Sequence, residues 1–95
     1  MRNYELTLVI DPDLTSADQK KLVEKVKKIV EEVEGKVNKT TEWGKKELAY
    51  PIKKKKMGYY FLCLLSLPED GVEKIDKKLK VEEGIIRFLQ IKTEN

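Results

Sequence analysis

The chain has 95 residues, a formal net charge of +3, 40% hydrophobic and 39% charged residues, one Cys and no His. That length sustains one hydrophobic core but not two, so a single domain over 1–95 is expected. The missing His removes the commonest general base and metal ligand, and one Cys excludes both an internal disulfide and a four-cysteine iron–sulfur site. No apolar run approaches the ~18 residues of a membrane span and no signal-peptide pattern opens the chain, so a cytoplasmic location is expected.

Tyr4 to Ile10 alternates, with Leu6, Leu8 and Ile10 on one face and Glu5 and Thr7 on the other, which predicts a half-buried strand. Asp11-Pro12-Asp13 ends it. Thr15 or Ser16 can cap the helix that follows, and Ser16 with Gln19 fits a capping box. Leu22, Val26, Ile29 and Val33, flanked by Val23 and Val30, form a stripe of helical period. Gly35 is expected to close the helix in the left-handed conformation.

From Lys36 the chain reads as extended. Val37, Thr41 and Trp43 take odd positions whereas Leu48, Tyr50 and Ile52 take even ones, a parity switch that predicts a bulge or kink at Gly44. Pro51 has no N–H to give, so this strand is expected to lie at a sheet edge or to end there. Lys53 to Met57 reads as a charged loop closed by Gly58, and Tyr59 to Leu67 as a central strand enclosing a buried Cys63. Pro68 is expected at the first position of a shorter helix with Val72, Ile75 and Leu79 inward. Gly84 breaks the chain, and Ile85 to Lys92 reads as the last strand.

The order is βαββαβ. Two interleaved strand–helix–strand units, each crossing over right-handed, give the α+β ferredoxin-like split arrangement. It has a four-stranded antiparallel sheet with two helices on one face, the other face being left open to water or to partners.

Charge is unevenly spent. Residues 36–60 hold eight Lys against two Glu, whereas the remainder holds fewer basic than acidic groups. A basic stripe on an acidic body is the footprint of a protein that docks on phosphates. The candidate phosphate contacts are Lys45, Lys46, Lys53, Lys54, Lys55 and Lys56, with Arg2 and Arg87 as arginines able to bind phosphate in a bidentate manner. Asp11 with Asp13 and Glu82 with Glu83 read as turn carboxylates rather than as metal or acid–base pairs. No Gly-rich phosphate loop and no acylphosphatase cradle is present, so an enzyme is not expected. Gly58-Tyr-Tyr-Phe is weakly similar to one RNA-recognition-motif segment, but Glu5 and Thr7 on the first strand offer nothing on which a base can stack.

Arg2-Asn-Tyr-Glu, Trp43-Gly-Lys-Lys-Glu-Leu-Ala-Tyr-Pro-Ile-Lys, Gly58-Tyr59-Tyr60 and Ile86-Arg87-Phe88 occur in order along the chain. This set resembles the bacterial small-subunit ribosomal protein S-six family, and Leu48-Ala49-Tyr50-Pro51-Ile52-Lys53 is its most specific segment. The resemblance implies a ferredoxin-like fold without catalysis, cofactor, metal or small-molecule substrate. It also implies binding to the central domain of small-subunit ribosomal RNA, with ribosomal protein S-eighteen as a heterodimeric partner. Trp43, Tyr50, Pro51 and Ile52 are then expected to shape the edge that meets that protein. The competing expectation is a non-ribosomal ligand-binding or regulatory domain of the same fold.

Overall fold

The computed structural model describes residues 2–52 and 54–93. Its elements are β1 (Arg2–Ile10), α1 (Ser16–Glu32), β2 (Lys36–Ile52), β3 (Lys55–Leu67), α2 (Gly71–Leu79) and β4 (Ile85–Lys92). The four strands form one sheet in the order β2-β3-β1-β4, with every neighbouring pair antiparallel. The expected βαββαβ fold is therefore observed, with β2 and β4 at the two edges.

Strand alternation sorts the side chains. Leu6, Leu8 and Ile10 from β1 and Phe61, Cys63, Leu65 and Leu67 from β3 point to the helix side. There they join Leu22, Val26, Ile29 and Val30 of α1, Ile75 and Leu79 of α2, and Ile85 of β4 in one core. Both helices thus cover the same face. Fully burying a Leu or Ile side chain contributes about 2 kcal/mol, so these positions fix the register: a slip by one residue would turn the whole set to solvent.

The ends of the helices differ from the sequence reading in instructive ways. Thr15, not Ser16, is the N-cap of α1, its hydroxyl accepting from the Asp18 amide at 3.1 Å. The Ser16–Gln19 box does not form, because Gln19 is buried and its Nε2 donates to the Leu14 carbonyl at 3.2 Å. At the other end the left-handed residue is Glu34 (φ 64°), not Gly35. The Gly35 amide donates to the Val30 carbonyl at 2.9 Å and the Glu34 amide to the Glu31 carbonyl at 3.0 Å, the paired bonds of a Schellman motif. Gly35 is needed for space: a Cβ there would lie 2.5 Å from Leu67 Cδ2 and 3.0 Å from the Ser66 carbonyl. Pro68 is not the first residue of α2. It sits one turn earlier, its carbonyl accepting from the Gly71 amide at 2.9 Å, and α2 begins at Gly71.

The parity switch at Gly44 is a bulge. Glu42 pairs with Phe61 and Gly44 with Tyr60, so Trp43 is the extra residue, and Gly44 takes the positive φ of 87° that the kink demands. A smaller shift lies earlier in the strand, between Val37 and Lys39, and a larger irregularity follows, since Glu47 pairs with Met57 but Ile52 with Lys55. Residues 48–51 therefore swing out of the ladder against the single Lys56. The basic stretch expected as a loop from Lys53 to Met57 is instead a hairpin tip, with β3 already running from Lys55. Lys53 lies outside the described residues.

Candidate nucleic-acid and partner interface

The excursion at 48–51 reaches over the sheet face opposite the helices. Leu48, although on an edge strand, is buried against Val9 of β1 and Ile86 of β4, with Ile52 and Tyr60 packed beside them. Ile86 is available because β4 carries its own irregularity, in which Val9 pairs with Arg87 while Ile10 pairs with Ile85. Three strands and a bulge thus contribute to one small apolar cluster on a face that the sequence reading leaves open.

The same excursion carries Tyr50 to Arg87, whose Nη1 donates to the Tyr50 phenolic oxygen at 3.0 Å. Arg87 stands at the rim of a hollow of about 180 Å³ lined by Thr7, Val9, Tyr60, Phe88 and Leu89. The arginine is exposed, so its guanidinium keeps donors for a phosphate or a base edge beyond the one given to Tyr50. Tyr50 holds its charge beside an apolar hollow with an aromatic wall.

The basic residues of the hairpin divide by face. Lys55 has the helix-side parity and forms ion pairs with Asp11, at 3.5 Å, and with Asp13. The Asp13 carboxyl is held below its usual range, first by the hydrogen bond from Lys55 and then by its charge, with Lys45 adding a further lowering pull. The same hydrogen bond raises Lys55. The carboxylates read as inert turn residues are thus counter-ions that anchor the hairpin to the β1–α1 turn. Lys46 and Lys56 have the opposite parity, and Lys54 is at the tip with φ 65°. All three are exposed. Lys46 Nζ lies 5.4 Å from the Trp43 ring centroid, a cation–π arrangement that leaves the ammonium accessible.

The expected site residues therefore gather unequally. Arg87, Tyr50, Lys46 and Lys56 come together at one end of the non-helical face. Lys45 and Lys55 lean towards acidic groups. Arg2, which pairs with Leu67, begins β1 at the far end, seven residues and about 23 Å from Val9 opposite Arg87. Trp43 and Tyr50 are 46% and 58% exposed, enough for either to meet a partner, and Pro51 is exposed beside them. Ile52 is partly committed to the internal cluster. Sequence reasoning passed over Lys36 and Lys39. They pair with Ser66 and Leu64 and so share the non-helical face; the register of a bulged strand, not the residue type, is what reveals it.

A family model for ribosomal protein S6 matches residues 3–92. The small ribosomal subunit protein bS6 of Caldanaerobacter subterraneus subsp. tengcongensis is 37% identical over 95 residues, covering the whole of both chains. That of Thermoanaerobacter pseudethanolicus is 35% identical over 94 residues, covering 99% of each. The crystal structure of 30S ribosomal protein S6 from Thermotoga maritima superposes with a TM-score of 0.91 at 31% identity, covering 97% of this chain and 87% of that one. Matched in sequence from β1 to the end of β4, and in backbone by a solved member, the chain belongs to the ribosomal protein S6 family.

Proposed function

We propose that this protein is a structural, non-catalytic component of the small ribosomal subunit. It binds the central domain of small-subunit ribosomal RNA together with ribosomal protein S-eighteen, in the cytoplasm. Membership of a ribosomal family over residues 3–92 is the observation that carries this reading. The geometry adds a division of labour. Lys46, Lys54 and Lys56 provide point charges for phosphates, whereas Arg87, hydrogen-bonded to Tyr50, provides a planar donor. Arg2 serves a separate phosphate at the other end of the sheet. Trp43, Tyr50 and Pro51 supply exposed apolar surface beside the basic groups, as an edge shared between RNA and a protein partner requires.

The test is the salt dependence of RNA binding in the presence of the second protein. Replacing Lys46, Lys54 and Lys56 together by Ala is expected to weaken binding and to flatten the plot of log affinity against log salt by about two units. An unchanged slope would overturn the phosphate assignment. Recovery of the second protein with this one from RNase-treated extract tests the protein contact separately; its loss after RNase would remove the heterodimer from the reading.

A further inference from the structure

The two edges of the sheet are not alike. β2 is interrupted by three register shifts and carries Pro51 and a row of lysines, the devices by which a sheet edge refuses another strand. β4 is different. Its pairing with β1 runs unbroken from Val9–Arg87 to Tyr4–Lys92, and among the described residues nothing pairs with its outer side. The Thr93 amide donates to the Asn3 carbonyl at 2.9 Å, which sets the phase of the ladder. Since bonded and non-bonded pairs alternate, the N–H and C=O groups of Phe88, Gln90 and Lys92 point away from the sheet. Leu89 and Ile91, on the same strand, are 52% and 49% exposed.

Along this edge runs a groove of about 450 Å³ between Phe88, Leu89 and Gln90 on one side and Glu69, Asp70, Val72, Glu73 and Asp76 on the other. Asp70 and Asp76 hold Lys74 at 3.0 Å and Lys80 at 2.9 Å, whereas Glu69 and Glu73 have no ion-pair partner among the described residues. Gln90 reaches across the groove to donate from Nε2 to the Val72 carbonyl at 3.2 Å, and its Oε1, out of reach of solvent, has no donor among the described residues. An unguarded strand edge is thus bordered by carboxylates.

We propose that β4 accepts a fifth strand, an extended segment of a protein partner in which Lys or Arg alternates with apolar residues. Main-chain bonds to Phe88, Gln90 and Lys92 supply the pairing, as in other strand additions. The apolar side chains fall on the face of Leu89 and Ile91, and the basic ones towards Glu69 and Glu73. The carboxylates of Glu69 and Glu73 repel a nucleic-acid backbone, so this edge differs in charge from the basic end at Arg87.

The probe is a capped seven-residue peptide alternating Lys with Val, titrated into the full-length protein and followed by amide chemical shifts and hydrogen exchange. Shifts confined to β4 and α2, with slowed exchange of the Phe88, Gln90 and Lys92 amides, are expected. Combining Glu69→Lys with Glu73→Lys, both exposed positions that leave the core untouched, is expected to weaken binding at least about fivefold at moderate salt. A peptide of Glu alternating with Val is expected not to bind. Absence of binding by the basic peptide, shifts centred on the hairpin or on Thr7, Val9 and Tyr60 rather than on β4 and α2, equal affinity for the double variant, or displacement by a single-stranded RNA would each overturn the proposal.

Discussion

Arg87 of β4 donates to the phenolic oxygen of Tyr50 of β2, 37 positions away in sequence and on the opposite edge of the sheet. Two edge strands that share no ladder are joined because residues 48–51 leave the β2–β3 pairing and cross the non-helical face. Leu48 makes that crossing favourable by burying its side chain against Val9 and Ile86. Leu48→Ala should therefore cost about 2 kcal/mol of stability, as a buried Leu truncation does. Tyr50→Phe should cost only about 0.5 kcal/mol, because Arg87 is exposed and water replaces the lost acceptor. Chemical denaturation checks both values. Equal losses for the two variants would mean that the hydrogen bond, rather than Leu48, holds the segment in place.

The end of α1 offers an opposing pair of substitutions at adjacent positions. Glu34 occupies the left-handed region at φ 64°, which is unfavourable for a residue with a Cβ, and its charge sits at the negative end of the helix dipole. Glu34→Gly should stabilise the protein by roughly 0.5–1 kcal/mol. Gly35→Ala should destabilise it by 1 kcal/mol or more, on the order of an overpacked core site, since the new methyl would meet Leu67 and the Ser66 carbonyl. Thermal melts of the two variants should move in opposite directions.

These two regions mark where the sequence was readable and where it was not. Period and parity reveal six elements and the break at Gly44, because each depends on side chains alternating between a core and solvent, whereas the edge position of β2 is signalled by the N–H that Pro51 lacks. Gly35 was legible as a helix terminator but not in its role. A glycine required by the closeness of Leu67, 32 positions away, has the same letter as one required by its own φ. The excursion of Leu48 was hidden for a related reason. Its even parity continues a strand pattern, and only the register against Met57 and Lys55 shows that the chain has left the ladder. The lysine run read as one cluster because charge has no period. Asp11 and Asp13, which divide it, are distant in sequence and approach Lys55 only through the fold.

That division makes a pH prediction. Asp13 is lowered from 3.8 in the fold by the hydrogen bond and charge of Lys55. A depressed carboxyl stabilises the folded state above its unfolded value and loses that contribution as pH falls through its folded one. The stability difference between the native protein and Asp13→Asn should therefore be present at neutral pH and shrink as pH falls below 3.8. Lys55 is raised from 10.5, so its part is intact below that value and fades as pH rises through the higher folded one. The pair is exposed, so added salt should reduce the neutral-pH difference. Denaturation midpoints of both proteins over the acid range at two ionic strengths check this; a difference that grows on acidification would assign Asp13 some other role.

Cys63 lies on the helix side of β3 with 1% of its surface exposed, and burial pushes its thiol up from 9.0. Its neighbour is the Thr40 hydroxyl, which donates to Sγ at 4.0 Å, too weak a bond to favour the thiolate against desolvation. The fold therefore prefers the protonated thiol. Because the unfolded chain ionises first, stability should begin to fall as pH rises above 9.0. Cys63→Ala removes this fall and leaves a small void, costing about 1 kcal/mol at neutral pH. Cys63→Ser should cost more, about 2 kcal/mol, because a hydroxyl needs a partner and its shorter bond to carbon draws it away from Thr40. In the native protein a thiol reagent should reach Cys63 only through opening of the core, so labelling should accelerate with denaturant in step with global unfolding. Fast labelling without denaturant would mean that β3 opens on its own, and that the central strand is less firmly held than its place between β1 and β2 requires.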